Sequence, residues 1–233
     1  MLLRGDRGTR YPAVAGMFYE SDPDALREQI EWCFKHPVGP GKLPKVPGDL
    51  MKGFAGYIAP HAGYIYSGPV AAHTYLRLAS RGRPETVIIA GPNPTGLGTM
   101  VSVMAEGVWT TPLGHVEVDS ELAEAIVRHS KYADMDERAH IHEHSVEVQL
   151  PFLQYLYGDS VRIVPIVMYA QMMQTAADLA GAVAHALEET GRRVVFIASS
   201  DFSHYVPYED AYRRDRHALE AIEALNAEKL FRV

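Results

Sequence analysis

The sequence predicts an α/β fold with a mixed, largely parallel central sheet and helices on both faces. Three observations predict it. Apolar runs of strand length recur at residues 53–59, 86–90, 161–168 and 193–198. Helix-period segments lie between them, at residues 69–78, 119–126 and 172–189. Three of the apolar runs open directly into loops that carry polar, chemistry-bearing residues: His61, the Asn93 loop, and Asp201 with His204. In open α/β sheets, ligands bind in such loops, outside the carboxyl ends of the strands.

Taken in order, residues 10–19 form an apolar lead-in without helical period, expected to be extended. Ser21-Asp22-Pro23-Asp24 then starts a helix, with a capping side chain and a proline in the first turn. Leu26, Ile30, Cys33 and Phe34 fall on one stripe of that helix, which marks Cys33 as a core residue. It is the single cysteine, so no intrachain disulfide forms. Residues 36–48 are a proline- and glycine-rich connector. The strand at 53–59 leads through Pro60-His61-Ala62-Gly63-Tyr64 to a helix, with Pro69 suited to its first turn.

A second strand at 86–90 ends in Gly91-Pro92-Asn93-Pro94-Thr95-Gly96. A short strand at 100–104, a turn at 110–114 and a helix capped by Asp119 follow. The polar run 140–147 leads into an amphipathic segment that Pro151 kinks or restarts. After the strand at 161–168 and an alanine-rich helix, the strand at 193–198 opens into Ser199-Ser200-Asp201-Phe202-Ser203-His204. A last helix starts near Pro207 and aligns Ala211, Asp215, Ala218 and Ile222 on one face.

Composition bounds the function. The 233 residues carry 22 Lys+Arg against 29 Asp+Glu, a formal net charge of −7, with no basic run. A nucleic-acid-binding surface is therefore not expected. The start, Arg4-Gly5-Asp6-Arg7, reads as lacking a secretory leader, and no apolar run is long enough to span a bilayer. A cytoplasmic location is the expectation, with no membrane partner.

His61, Asp201 and His204 are the candidate chemical centre. Two histidines and a carboxylate with open positions suit non-haem Fe(II), with Zn or Cu as other occupants. Asp201 and His204 are three apart and converge if their loop makes a helical turn. In the 140–147 run, His140 and His142 read as structural, whereas Glu143 and His144 are pocket-wall candidates or members of a capping network at a helix start. Ser199 and Ser200 invite a serine-nucleophile reading, but the Gly-x-Ser-x-Gly elbow is missing. The Gly91–Gly96 loop matches neither phosphate-loop fingerprint and contains two prolines that lack N–H. Asp215 is placed on an apolar face. There it either orients a pocket histidine as an outer group, or bonds a neighbouring loop or an arginine.

Several motifs in one order, through almost the whole chain, resemble the Memo family, also called AmmeMemoRadiSam system protein B. They are Tyr11-Pro12-Ala13-Val14-Ala15-Gly16-Met17-Phe18-Tyr19, Pro60-His61-Ala62-Gly63-Tyr64, Thr111-Pro112-Leu113-Gly114, residues 143–152 from Glu143-His144-Ser145 to Leu150-Pro151-Phe152, and residues 199–204. The resemblance implies a fold like the class III, LigB-type extradiol dioxygenases, with a strand-end pocket. It implies His61 as the first pocket histidine and Asp201 with His204 as the later pair. In the dioxygenase relatives the pocket holds non-haem iron, and the resemblance implies partners from the AmmeMemoRadiSam system. Iron or copper is expected here, held weakly because Pro94 cannot ligate. Pro94 stands where the family carries histidine. Residues 1–233 are expected to form one Memo-like domain without the family's C-terminal segment, which includes a pocket cysteine.

Two functions are open on this reading. One is a metal-dependent, dioxygenase-like oxidoreductase with His61 and His204 as catalytic groups and Asn93, Pro94, Glu143, His144 and Ser200 in the pocket. The other is a binding or scaffold protein that uses the same pocket for a peptide or small molecule.

Overall fold

A computed structural model describes residues 8–46 and 48–233. The expectation about a leader falls on residues 1–7 and lies outside the described residues. In chain order the elements are β1 (Thr9–Arg10), α1 (Pro23–Lys35), β2 (Ala55–Ala59), α2 (Tyr64–Ala79), β3 (Thr86–Pro92), β4 (Val101–Val103), β5 (Val108–Thr111) and β6 (Gly114–Glu117). They continue with α3 (Ser120–His129), β7 (Ala133–Met135), α4 (Leu150–Tyr157), β8 (Arg162–Met168), α5 (Met173–Thr190), β9 (Val194–Ser199), α6 (Tyr208–Glu223) and α7 (Ala227–Leu230). Short 3-10 turns cover Arg138–His140 and Glu147–Gln149.

The central sheet has the order β2-β9-β3-β8-β4-β7. Its first four strands are parallel, β4 runs antiparallel to β8, and β7 runs parallel to β4. The sheet is thus mixed and mostly parallel, as expected. Thr86 to Gly91 of β3 are buried without alternation, which requires cover on both faces of the sheet. Pro165 is tolerated in β8 because β4 pairs only as far as Ile166. Its carbonyl accepts from Met104, so its missing N–H faces the side where strand pairing has ended.

Leu26, Ile30, Cys33 and Phe34 of α1 are fully buried. Burial pushes the Cys33 thiol up to about 12, which keeps it protonated and inert. Asp22 caps α1 through the amides of Asp24 and Ala25. Between α2 and α4, Tyr75 and Phe152 stack in parallel at 4.5 Å, a pairing worth about 0.5–1.5 kcal/mol beyond area burial.

The structure differs from the sequence reading in three elements. Helix α2 begins at Tyr64, so Pro69 lies inside it rather than in its first turn. The predicted turn at 110–114 is the tip of a hairpin, β5 and β6, that pairs with β1 in a second, three-stranded sheet. On α6, Ala221 is the one buried residue, so the expected apolar face is half-open. Among the described residues, no helix is long and apolar enough to cross a membrane.

Candidate functional site

Strands β2, β3 and β9 end side by side, because β2 and β3 both pair in parallel with β9. The loops leaving β2 and β9 therefore meet. They form a cleft of about 460 Å³ lined by His61, Gly91, Pro92, Met168, Gln171, Ser199, Ser200, Asp201, Phe202 and His204, with Ala90 at its base. The backbone amide of His61 donates to Asp201 Oδ1 at 2.7 Å. Asp201 Oδ2 lies 3.8 Å from His61 Nε2 and 3.3 Å from His204 Nε2. One carboxylate thus locks the β2 loop and faces two imidazoles.

The two histidines differ in setting. The His61 side chain is 12% exposed and that of His204 59% exposed. Burial holds the His61 pKa below the ordinary histidine value, with the Asp201 charge opposing. His144 packs edge-on against His61 at 5.8 Å between ring centroids and against Phe18 at 4.8 Å. Burial lowers its pKa as well. His61 and His144 are thus neutral imidazoles at neutral pH, the form that accepts protons or binds metals.

Behind His61 lies a polar relay. His61 Nδ1 is 2.9 Å from Ser199 Oγ, Ser199 Oγ donates to the carbonyl of Ser145 at 2.6 Å, and Gln149 Nε2 donates to Ser199 Oγ at 3.0 Å. Tyr75 closes the chain by donating to Gln149 Oε1 at 2.5 Å. Gly91 permits the approach of Ser145, since a Cβ at Gly91 would collide with the Ser145 hydroxyl.

The Memo-like protein family model matches residues 10–233. The chain belongs to the Memo-like family. It is 57% identical over 217 residues to a MEMO1 family protein of Methanothermobacter thermautotrophicus, covering 93% of this chain and 77% of that protein. A MEMO1 family protein of Methanopyrus kandleri is 54% identical over 217 residues, covering 93% and 76%. One from Desulfurococcus amylolyticus is 52% identical over 225 residues, covering 96% and 79%.

Within this Memo fold the structure brings His61, Asp201 and His204 together, with Ser200 on the cleft wall. Other sequence candidates stand elsewhere. The Asn93 side chain is turned into its own loop, accepting from Thr95 and Gly96 and donating to Leu97. It forms an Asx turn and does not line the cleft. Pro94 is exposed on the same turn, and Gly91 and Pro92 take the expected rim position because β3 runs two residues further than expected. Glu143 is no wall group: it is fully buried and caps the turn at 146–147, accepting from the Val146 amide at 2.8 Å and the Ser145 hydroxyl at 2.8 Å. Burial raises its pKa, with Arg10 opposing. His144 reaches the site by packing on His61. Asp215 bonds Ser203 rather than an imidazole, the local-loop outcome.

Gln149, Gln171, Phe202 and Gly91 were missed as site residues. Gln149 lies inside a family motif, but no spacing signal pointed it at Ser199. The serine-nucleophile reading meets an obstacle in geometry: Ser199 is 3% exposed and its proton is committed to a backbone carbonyl.

Proposed function

We propose that the cleft is the working site of this Memo-family chain and that it takes a redox-active metal ion, iron or copper, beside a small organic molecule. The observation that carries this reading is the approach of His61 Nε2 and His204 Nε2 to one carboxylate oxygen, Asp201 Oδ2. Ligand atoms bonded at about 2.0–2.2 Å to one ion stand about 3–4 Å apart. The two separations from Asp201 Oδ2 fall in that span, and the side chains would have to shift for all three to meet one ion. The donor chemistry, two imidazoles and a carboxylate, fits an open non-haem site. When bound, the metal would supply Lewis-acid or electron-transfer chemistry at the cleft.

The residues do the remaining work. Asp201 fixes the backbone of His61 and faces both imidazoles with one carboxylate oxygen. The sheltered His61 stays neutral. Phe202 and Met168 supply apolar wall for an organic ligand. With Pro94 turned away, water would have to complete the shell of a bound ion, and binding is expected to be weak and sub-stoichiometric. Memo-family membership, through the LigB-dioxygenase-like fold that the resemblance implies, favours redox chemistry, with proteins of the AmmeMemoRadiSam system as partners and the cytoplasm as location.

A second reading rests on a different observation. Among the described residues, no group of three His, Cys, Asp or Glu side chains stands ready-spaced for a metal ion. On that reading the cleft binds a peptide or small molecule directly, and Asp201 holds its walls together. Elemental analysis of protein purified without added metal, Fe(II) and Cu(II) titrations, and an O2-uptake screen with catechols separate the two. The metal reading expects saturable binding that His61→Ala abolishes. Binding that His61→Ala leaves unchanged, or no binding in the unmodified protein, overturns it.

A further inference from the structure

We infer that Ser199, held by Gln149 and the Ser145 carbonyl, fixes His61 as the Nδ1–H tautomer, so that the Nε2 lone pair is the one offered to the cleft. The inference rests on donor and acceptor counting. A serine hydroxyl has one proton and accepts at most two hydrogen bonds. Ser199 Oγ has three partners: the Ser145 carbonyl at 2.6 Å, Gln149 Nε2 at 3.0 Å and His61 Nδ1 at 2.9 Å. The carbonyl only accepts, so it takes the single Ser199 proton.

The orientation of the Gln149 amide is set independently. Its nitrogen lies 3.0 Å from the Pro60 carbonyl, which must receive an N–H, while its oxygen receives the Tyr75 hydroxyl at 2.5 Å. Gln149 therefore donates to Ser199. With its proton given away and one lone pair taken, Ser199 Oγ has acceptor capacity left for His61 alone. The proton of a neutral His61 must sit on Nδ1.

The alternative arrangement has Ser199 donating to His61. It would leave two oxygens 2.6 Å apart with no proton between them and the Ser145 carbonyl with only the long 3.4 Å contact from Gln149 Nε2, in a buried site where an unmet acceptor costs about 1–3 kcal/mol. The relay is therefore specific: it is built to accept from Nδ1. Such a fixed tautomer is what a ligating or proton-accepting histidine needs, because the second ring nitrogen sets which one is free. Ser199 and Gln149 are positioning residues, and Nε2 faces Asp201 at 3.8 Å.

The functional consequence rests on the metal reading proposed above, but the tautomer does not. The test is two-bond proton–nitrogen correlation NMR on the full 15N-labelled chain, without metal, at a pH of about 8 where an ordinary histidine is neutral. His61→Asn assigns the His61 signals. The unmodified protein is expected to show His61 with a protonated Nδ1 and a bare Nε2. A protonated Nε2, or an even mixture, overturns the inference without any variant being needed. In Ser199→Ala the preference is expected to fall to a mixture, and in Ser199→Thr, which keeps the hydroxyl, to return. A Ser199→Ala protein with the tautomer unchanged removes Ser199 from the role. On the metal reading, Ser199→Ala also weakens Fe(II) or Cu(II) binding about tenfold or more. Unmodified protein with the stated tautomer but no metal binding leaves the tautomer standing and defeats the metal reading alone.

Discussion

Asp215 on α6 accepts from both the amide of Ser203, at 3.1 Å, and its hydroxyl, at 2.6 Å, one residue before His204. The same loop holds Tyr205 in the left-handed region at φ +53°, which a non-glycine residue adopts only where its surroundings fix it. Asp215 is thus the tether of the segment that presents His204. Asp215→Ala is expected to weaken metal binding roughly fivefold, equivalent to about 1 kcal/mol, with little change in the urea midpoint. Both bonds reach the same oxygen, so Asp215→Asn should bind as the unmodified protein does. Calorimetric titration of the two variants is the check, and equal affinity in Asp215→Ala counts against the tether.

The legible part of the molecule was the part governed by local pattern. Apolar runs and caps marked the parallel strands and α1, and strand-end placement pointed to His61, Asp201 and His204 as neighbours. Long-range pairing was not legible. The two residues of β1 carry no strand signal of their own and exist as a strand because Thr9 and Arg10 pair with Val108 and Trp109. Asn93 was misplaced because its loop position says nothing of where its side chain turns, and the Asx turn with Thr95 and Gly96 won. Asp215 was read from a helical face that the fold leaves half-open.

Glu147 is, among the described residues, the buried carboxylate with the most hydrogen-bond partners. It pairs with Arg10 and accepts from the amides of Ala13 and Val14 and from the Tyr19 hydroxyl. Arg10 in turn lies over the Trp109 ring at 4.3 Å. Glu147→Ala strips the buried guanidinium of its closest carboxylate, leaving it the His140 and Glu143 carbonyls and the Glu143 carboxylate at 3.7 Å. It also leaves the Ala13 and Val14 amides and the Tyr19 hydroxyl without this acceptor, and is expected to cost about 3–5 kcal/mol. Urea denaturation with an unchanged m-value measures it. A loss under about 1 kcal/mol would mean that the lead-in at residues 10–19 is not held by this carboxylate.

His140 predicts an acid-side instability. It is fully buried beside Trp109, and neither ring nitrogen has a hydrogen-bond partner among the described residues. Burial, then the charge of Arg10, lowers its pKa to about 3, with the nearby Ser102 backbone and then Asp136 opposing. In the unfolded chain the value is about 6.5. Between those values the unfolded state binds more protons, so stability rises with pH through the window and is lost as pH falls. Lowered values at His61 and His144 act in the same direction. His140→Leu is therefore expected to flatten the fall in urea midpoint between roughly pH 6 and 4. An equally steep fall in the variant would assign the acid loss to other groups.

Gly91 is the position where packing and site chemistry meet. A Cβ there would stand 2.8 Å from Ser145 Cβ, nearer still to its hydroxyl, and 3.4 Å from Ser199 Cβ. Ser145 cannot retreat freely: its hydroxyl donates to Glu143 at 2.8 Å and its carbonyl receives the Ser199 proton. Gly91→Ala is expected to cost about 1–3 kcal/mol by overpacking and to shift the His61 NMR signals, because the displaced carbonyl carries Ser199 with it. Removing the obstructing side chain should relieve the clash, so Gly91→Ala with Ser145→Gly should be less destabilised than the two single variants added together. Strict additivity across that cycle would show that the collision is absorbed elsewhere, and unshifted His61 signals in Gly91→Ala would uncouple β3 from the Ser199 relay.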